Sequence, residues 1–278
     1  MRSELTVIIT LFKTPIDKLK TLKQYNKYPI LIFDQSTKDN SKKISENLNF
    51  NFQYFHSEKN LGLSKSTNFL ISKVKTKYFL FTQADIEIDE ISINNLLKGM
   101  NVEKNIVFAG PIINSNIDGK KQKEFLQNYE IKTKLNAAIM MCDLEKVKNI
   151  GFFDEDFFLY WEDEDLMQRV NKSNFKMIQI SNSFANHDGG KSTPDNINVL
   201  FIRRINYKYG ELLYDLKHKK IRIIKILRQL LLNTLLLTIN FVFFNKIKII
   251  ENISQICGIL KFIKYVFFRK NSKIYNVK

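Results

Sequence analysis

The sequence predicts an α/β fold: a mostly parallel central sheet flanked by helices, followed by a basic, amphipathic helical tail. Three observations predict it. Apolar, β-branched runs of strand length alternate with helical stretches, the pattern of parallel strands joined by helices. Two of the runs end on an acid, and open α/β sheets bind ligands at the carboxyl ends of their strands. Finally, +13 of the +16 net charge lies between residues 217 and 278, where fourteen Lys or Arg stand against the single acid Glu251.

The elements follow in order. LTVIITLF (5–12) reads as a buried strand, and a polar helical stretch covers about 17–28. PILIFD (29–34) is a second strand, ending on Asp34, and FNFQYFH (50–56) a third. LSKSTNFLISKV (63–74) has helical character. KYFLFTQAD (77–85) is a fourth strand, ending on Asp85. NIVFAGPII (105–113), LNAAIMMC (135–142) and FKMIQI (175–180) supply three more, with a helix at 162–173 between the last two. The expected division is a domain at 1–212 and a helical tail at 213–278.

Composition narrows the classes. The 44% apolar content is that of a globular chain and excludes wholesale disorder. The cysteines, Cys142 and Cys257, supply neither a disulfide framework nor a CxxC metal pair, which fits a reducing cytosol. MRSEL leads straight into the first strand without a small-residue cleavage site, so no signal peptide is expected. Residues 1–216 carry only +3, so no basic face for nucleic acid is expected on the folded domain.

The candidate chemistry lies in four places. Asp34, with Gln35 and Ser36 after it, can accept from a nucleobase or a ribose hydroxyl; a turn or cap role is the plainer reading. In NLGLSKSTN (60–68), Gly62 admits close backbone approach while Asn60 and Asn68 offer amides; a loop before a capped helix fits equally well. Asp85, with Glu87 two residues on, can hold a divalent cation if a substrate supplies further oxygens. The fourth place joins NHDGGKS (186–192), with His187, Lys191 and Ser192, to GFFDEDFFLYWEDEDLMQRV (151–170). Carboxylates crowded near Tyr160 and Trp161 are what a general base or a metal site needs. Glu164 and Asp165 also suit the positive end of a helix.

Taken together and in this order, TVIITLF, ILIFDQST, NLGLSKSTN, YFLFTQADI, GFFDEDFFLYWEDEDLMQR and HDGGKS resemble the family 2 glycosyltransferases, in particular their rhamnosyltransferase-like branch. The resemblance covers residues 5 to 210 or so. It implies a GT-A nucleotide-diphosphosugar fold and an inverting, metal-dependent sugar transfer. Asp34 would contact the base, with Asn60, Gly62 and Asn68 along the nucleotide. Asp85 matches the end of the family's DxD metal motif and His187 the histidine that completes the sphere around Mg²⁺ or Mn²⁺. Gln83 replaces the motif's first acid. Asp163 matches the catalytic base, Trp161 and Glu162 would shape the acceptor site, and Lys191 and Ser192 would hold phosphate. Asp165 is expected either to cap its helix or to orient Arg169. The implied donor is a dTDP-, UDP- or GDP-linked sugar. The implied acceptor is a glycan or polyprenyl-linked glycan of a bacterial surface polysaccharide such as lipopolysaccharide.

The tail has cations at 222, 225 and 228 among Ile and Leu. LLLNTLLLTINFVFF (230–244) follows; as helix it is about 22 Å long, short of a bilayer's roughly 30 Å core. A second amphipathic helix is expected at 246–270. These segments read as an anchor on the anionic inner face of the cytoplasmic membrane, as a helical subdomain packed on the core, or as a short transmembrane hairpin. Two further functions fit less of the chain. A nucleotidyltransferase would show a Gly-rich phosphate loop near the first strand, and TLFKTPI (10–16) has no glycine. A membrane-surface binding protein with a degenerate nucleotide-sugar domain leaves the ordered motifs unused.

Overall fold

The computed structural model describes residues 4–48, 50–114, 128–187, 193, 196–219 and 223–268. The contacts divide the chain into two compact units, Met1–Phe153 with Leu166–Pro194, and Asp154–Asp165 with Asp195–Lys278.

The first unit is built on one sheet. In chain order it has β1 (Leu5–Leu11), α1 (Ile16–Leu19) running into a 3₁₀ helix (Lys20–Tyr25), β2 (Ile30–Asp34), α2 (Ser41–Asn47), β3 (Phe52–His56), α3 (Leu63–Lys73) and β4 (Tyr78–Thr82). It continues with β5 (Ile86–Ile88), α4 (Glu90–Gly99), β6 (Ile106–Asn114), β7 (Tyr129–Lys132), β8 (Ile139–Asp143) and α5 (Leu144–Ile150). Helix α6 (Glu162–Asn171) leads into β9 (Lys176–His187). The strand order is β3-β2-β1-β4-β8-β6-β9-β5, with β7 also paired to β9. Strands β3, β2, β1 and β4 are mutually parallel. β8 enters antiparallel between β4 and β6, and from there the sheet is mixed.

The apolar runs become strands because both faces are covered. β2, β4 and β8 are buried at every residue. Side chains alternate across the pleat. Val7, Ile9, Ile30, Ile32 and Leu80 join one core layer, while Ile8, Leu31, Phe33, Phe79 and Phe81 join the other. All seven expected strands are present. The expected helix at 17–28 stops at Tyr25 and has 3₁₀ geometry over most of its length. Elements α2, β5, α4, β7 and α5 are additional to the sequence expectation.

In the second unit, α7 (Ile197–His218), α8 (Ile223–Val242) and α9 (Lys246–Phe268) follow one another. The expected division between 212 and 213 lies inside α7, a continuous helix started by Asn196, whose Oδ1 accepts from the Val199 N–H at 2.8 Å. Phe157, Tyr209, Leu212, Leu213, Ile259 and Phe262 form this unit's core. Helix α8 corrects one expectation. The apolar run of 230–244 is not a separate short segment, because the helix starts at Ile223 and reaches 20 residues, about 30 Å. It is long and apolar enough to cross a membrane, and none of its residues is buried. Its amides turn towards α9: Asn240 donates to Asn252 at 3.0 Å, and Asn252 donates to Asn233 at 3.3 Å.

Candidate active site

The carboxyl ends of the parallel strands hold the first group of expected residues. Asp34 ends β2 and is 1% exposed. It accepts from the Ser36 N–H at 2.9 Å, Asn40 Nδ2 at 2.9 Å and the Tyr54 hydroxyl at 3.0 Å. Burial, followed by the nearby Asp34 charge, holds the Tyr54 hydroxyl protonated well above its ordinary range. Asp34 therefore organises the loop after β2. Beside it, Gln35 accepts from the Leu61 N–H at 2.7 Å and donates to Ser66 Oγ at 3.2 Å. Asn60 Oδ1 accepts from the Gly62 N–H at 3.0 Å. Gly62 has φ +84°, a conformation that favours glycine, and it opens α3 with no side-chain cap on the helix's first N–H groups.

Two buried hydroxyls of α3, on Ser64 and Thr67, have no hydrogen-bond partner among the described residues. Sequence reasoning missed both, because Ser and Thr inside a helix carry no distinct signal. Asn68, expected along a nucleotide, lies on α3 against Phe153. Its Nδ2 donates to the Phe153 carbonyl at 2.9 Å and its Oδ1 accepts from the Phe153 N–H at 3.1 Å, so it clasps α3 to the chain after α5.

The second group depends on strand register. Antiparallel pairing of β5 with β9 sets Ile86 opposite His187 and Glu87 opposite Asn186. Asp85, in the turn before β5, thereby comes to 3.6 Å between its Oδ2 and His187 Nε2. The Asp85 side chain is fully buried and that of His187 is 20% exposed. His187 Nε2 is buried without a hydrogen-bond partner among the described residues. A buried carboxylate facing an unsatisfied imidazole nitrogen suits a hard divalent cation. Among the described residues no three His, Cys, Asp or Glu gather into a metal cluster. Lys191 and Ser192 lie outside the described residues.

The third group is the acidic stretch. Tyr160 and Trp161 both have left-handed backbones, with φ of 68° and 72°, immediately before α6. Non-glycine residues hold such angles only where packing enforces them. Here the Trp161 ring lies 5.3 Å from Tyr214 and 5.7 Å from Tyr207. Gly210 lets α7 approach, since a Cβ there would come within 2.8 Å of both Trp161 Cδ1 and the Tyr160 carbonyl. Glu162 is 4% exposed and its Oε2 has no hydrogen-bond partner among the described residues. Burial, then the charges of Asp163 and Asp165, push its pKa up to about 8. Asp163 is half-buried.

Asp165 is fully buried and pairs at 2.6 Å with His218 Nε2, at the far end of α7. Arg169 donates to the carbonyls of Ile150, Gly151 and Phe152, tying α6 to the end of α5. Lys217 forms ion pairs with Asp154 and Asp156, and Asp156 also accepts from the Tyr265 hydroxyl at 2.7 Å. Neither His218 nor Lys217 stood out in the sequence, since each is a lone residue in a basic stretch.

The sequence model described as glycosyl transferase family 2 matches residues 16–165, more than half of the chain. A search of curated proteins found no match. Similar solved structures include GalNAc-T7 with UDP, GalNAc and Mn²⁺, with a TM-score of 0.57 and 13% identity, covering 75% of this chain and 47% of that one. Another is Staphylococcus aureus TarS 1–349 in complex with UDP-GlcNAc, with a TM-score of 0.55 and 13% identity, covering 94% and 92%. A third is the mannosyltransferase PcManGT from Pyrobaculum calidifontis in complex with GDP-Man and Mn²⁺, with a TM-score of 0.56 and 10% identity, covering 98% and 77%. The chain spans about half the length of the GalNAc-T7 chain. At such identities the likeness carries the fold. With the family match over residues 16–165 beside it, the chain belongs to glycosyl transferase family 2 and has a GT-A fold.

Proposed function

We propose that this glycosyltransferase is an inverting enzyme that moves a sugar from a nucleotide-diphosphate donor to a glycan or lipid-linked acceptor, with Asp163 as general base. The observation that carries the reading is the Asp85–His187 pair, assembled by the β5–β9 register in a chain of this family. Two of the similar structures hold Mn²⁺ together with a nucleotide or nucleotide sugar. Asp85 and His187 would hold Mg²⁺ or Mn²⁺, which when bound supplies positive charge for the leaving diphosphate.

The chain's own residues do the rest. Asp163 takes the proton of the acceptor hydroxyl as that oxygen bonds to the anomeric carbon. The bond from that carbon to the diphosphate breaks, and the nucleoside diphosphate leaves with the electron pair. One displacement inverts the anomeric centre. Asp34, Gln35, Asn60 and Gly62 shape the nucleotide side, and Trp161 shapes the acceptor side. The Gln83-Ala84-Asp85 string supports the rhamnosyltransferase-like branch, and a surface polysaccharide is the product class we favour.

Residues 213–278 are proposed to hold the enzyme on the inner face of the cytoplasmic membrane. Leu231, Leu232, Leu235 and Phe243 are all more than half exposed, and Arg228 and Lys246 are exposed cations on the same helical hairpin.

The test is nucleotide release from dTDP-, UDP- and GDP-linked sugars, with and without divalent metal. One donor class should turn over, faster with metal, and Asp163→Asn should cut turnover about 100-fold or more with donor binding intact. Near wild-type turnover in that variant removes Asp163 as base. Full activity in excess chelator removes the metal from Asp85 and His187.

A further inference from the structure

Glu162 is the first residue of α6, and it faces a physical conflict. Its side chain is buried, its Oε2 has no hydrogen-bond partner among the described residues, and the half-buried Asp163 follows it directly. An ionised carboxylate with one oxygen unmatched is costly out of water even where a backbone N–H meets the group, and a second adjacent charge adds to that cost. The backbone offers no escape. Tyr160 and Trp161 are locked at left-handed φ by Trp161 packing on Tyr207 and Tyr214, which fixes where α6 begins.

We infer that Glu162 is a positioning residue that stays a neutral acid, so that of two adjacent carboxyls Asp163 is the one that ionises and takes the acceptor's proton. The inference rests on Asp163 being the base. The charges acting on Glu162 are those of Asp163 and Asp165 on its own helix. Asp165 itself pairs with His218 of α7 at 2.6 Å. Tyr160, which also interacts with Glu162, is itself raised mainly by burial and lowered by Arg203 of α7. No cation in this set pairs with Glu162 directly. The upward push on its acidity has the sign the inference requires. The proton stays on Glu162 throughout the reaction, and the acceptor's proton goes to Asp163.

Two measurements on the full chain test this. Infrared difference spectra of wild type and Glu162→Gln, at about pH 6.5 and about pH 9.5, should show one protonated-carboxyl band in wild type that fades at the higher pH and is absent from the variant. No such band at the lower pH overturns the inference, whatever the activity. The second measurement is the pH profile of kcat and kcat/KM. Wild-type activity should fall above about pH 8, whereas Glu162→Gln should lose that alkaline fall. A Glu162→Gln loss as deep as that of Asp163→Asn overturns the inference, because Glu162 would then be needed as a carboxylate. Unchanged alkaline limbs overturn it as well. If the band appears but Asp163→Asn stays active, the neutral acid stands and the base assignment falls.

Discussion

Asp34 and Glu162 are both carboxyl groups almost wholly removed from water, and the protein treats them in opposite ways. Asp34, at the end of β2, meets three hydrogen-bond donors. Glu162, at the start of α6, leaves an oxygen unmatched and is pushed up to about 8. A buried acid with a full set of donors holds the loop around it in place. A buried acid with an oxygen unmatched is pushed towards its neutral form. The difference shows that burial alone does not set a carboxyl's acidity; the donors around it count as well.

Substitutions can break that comparison, beginning with the largest expected effect. Asp34→Ala should cost about 3 kcal/mol or more in denaturant unfolding, because the Ser36 N–H, Asn40 amide and Tyr54 hydroxyl lose their acceptor together. Loss of activity with unchanged stability would instead make Asp34 a ligand-binding acid.

Glu162→Gln should move stability the other way. A carboxyl whose folded pKa is about 8, raised from the usual 4.5, holds its proton more tightly when folded. Its favourable contribution is complete below about pH 4.5 and is lost as pH rises towards about 8. The variant lacks that loss. It should therefore match wild type near about pH 4 and exceed it increasingly as pH rises towards about 8. Equal pH dependence in the two proteins would make Glu162 an ordinary ionised acid.

His218→Ala should cost about 1–3 kcal/mol in thermal unfolding, since the fully buried Asp165 loses its partner at 2.6 Å. Smallest in stability, Leu231→Glu with Leu235→Glu should shift unfolding by under about 0.5 kcal/mol, because both side chains are exposed. The same pair should abolish flotation with anionic vesicles and leave donor turnover intact. Undiminished flotation would remove α8 as the membrane face.

Much of the fold is legible from residue pattern. Strands buried on both faces need continuous apolar runs, so 5–12, 29–34 and 77–85 announce themselves. Helix α6 is legible from its acids, which suit a helix start. β5 is not, because three residues are too short for any period to emerge. Nor is α7, whose core-facing residues are interspersed with Lys, Arg and Asn that bury their stems. For α8, treating the basic start and the apolar remainder as different segments hid one continuous 20-residue helix.

What the sequence by itself determined is the inventory: the buried strands, the acids at their ends, the acidic stretch with its aromatic neighbours, and a tail that holds most of the charge. Each follows from local pattern, because a strand or an acidic helix start needs only its own residues to be recognised. What only the tertiary structure decided is which of those residues meet. Register put His187 beside Asp85, the length of α7 carried His218 to Asp165 and Lys217 to Asp154, and packing around Trp161 left Glu162 buried with an oxygen unmatched. Such partnerships join residues far apart in the chain, and their energies depend on distance and exclusion of water, which no local pattern encodes.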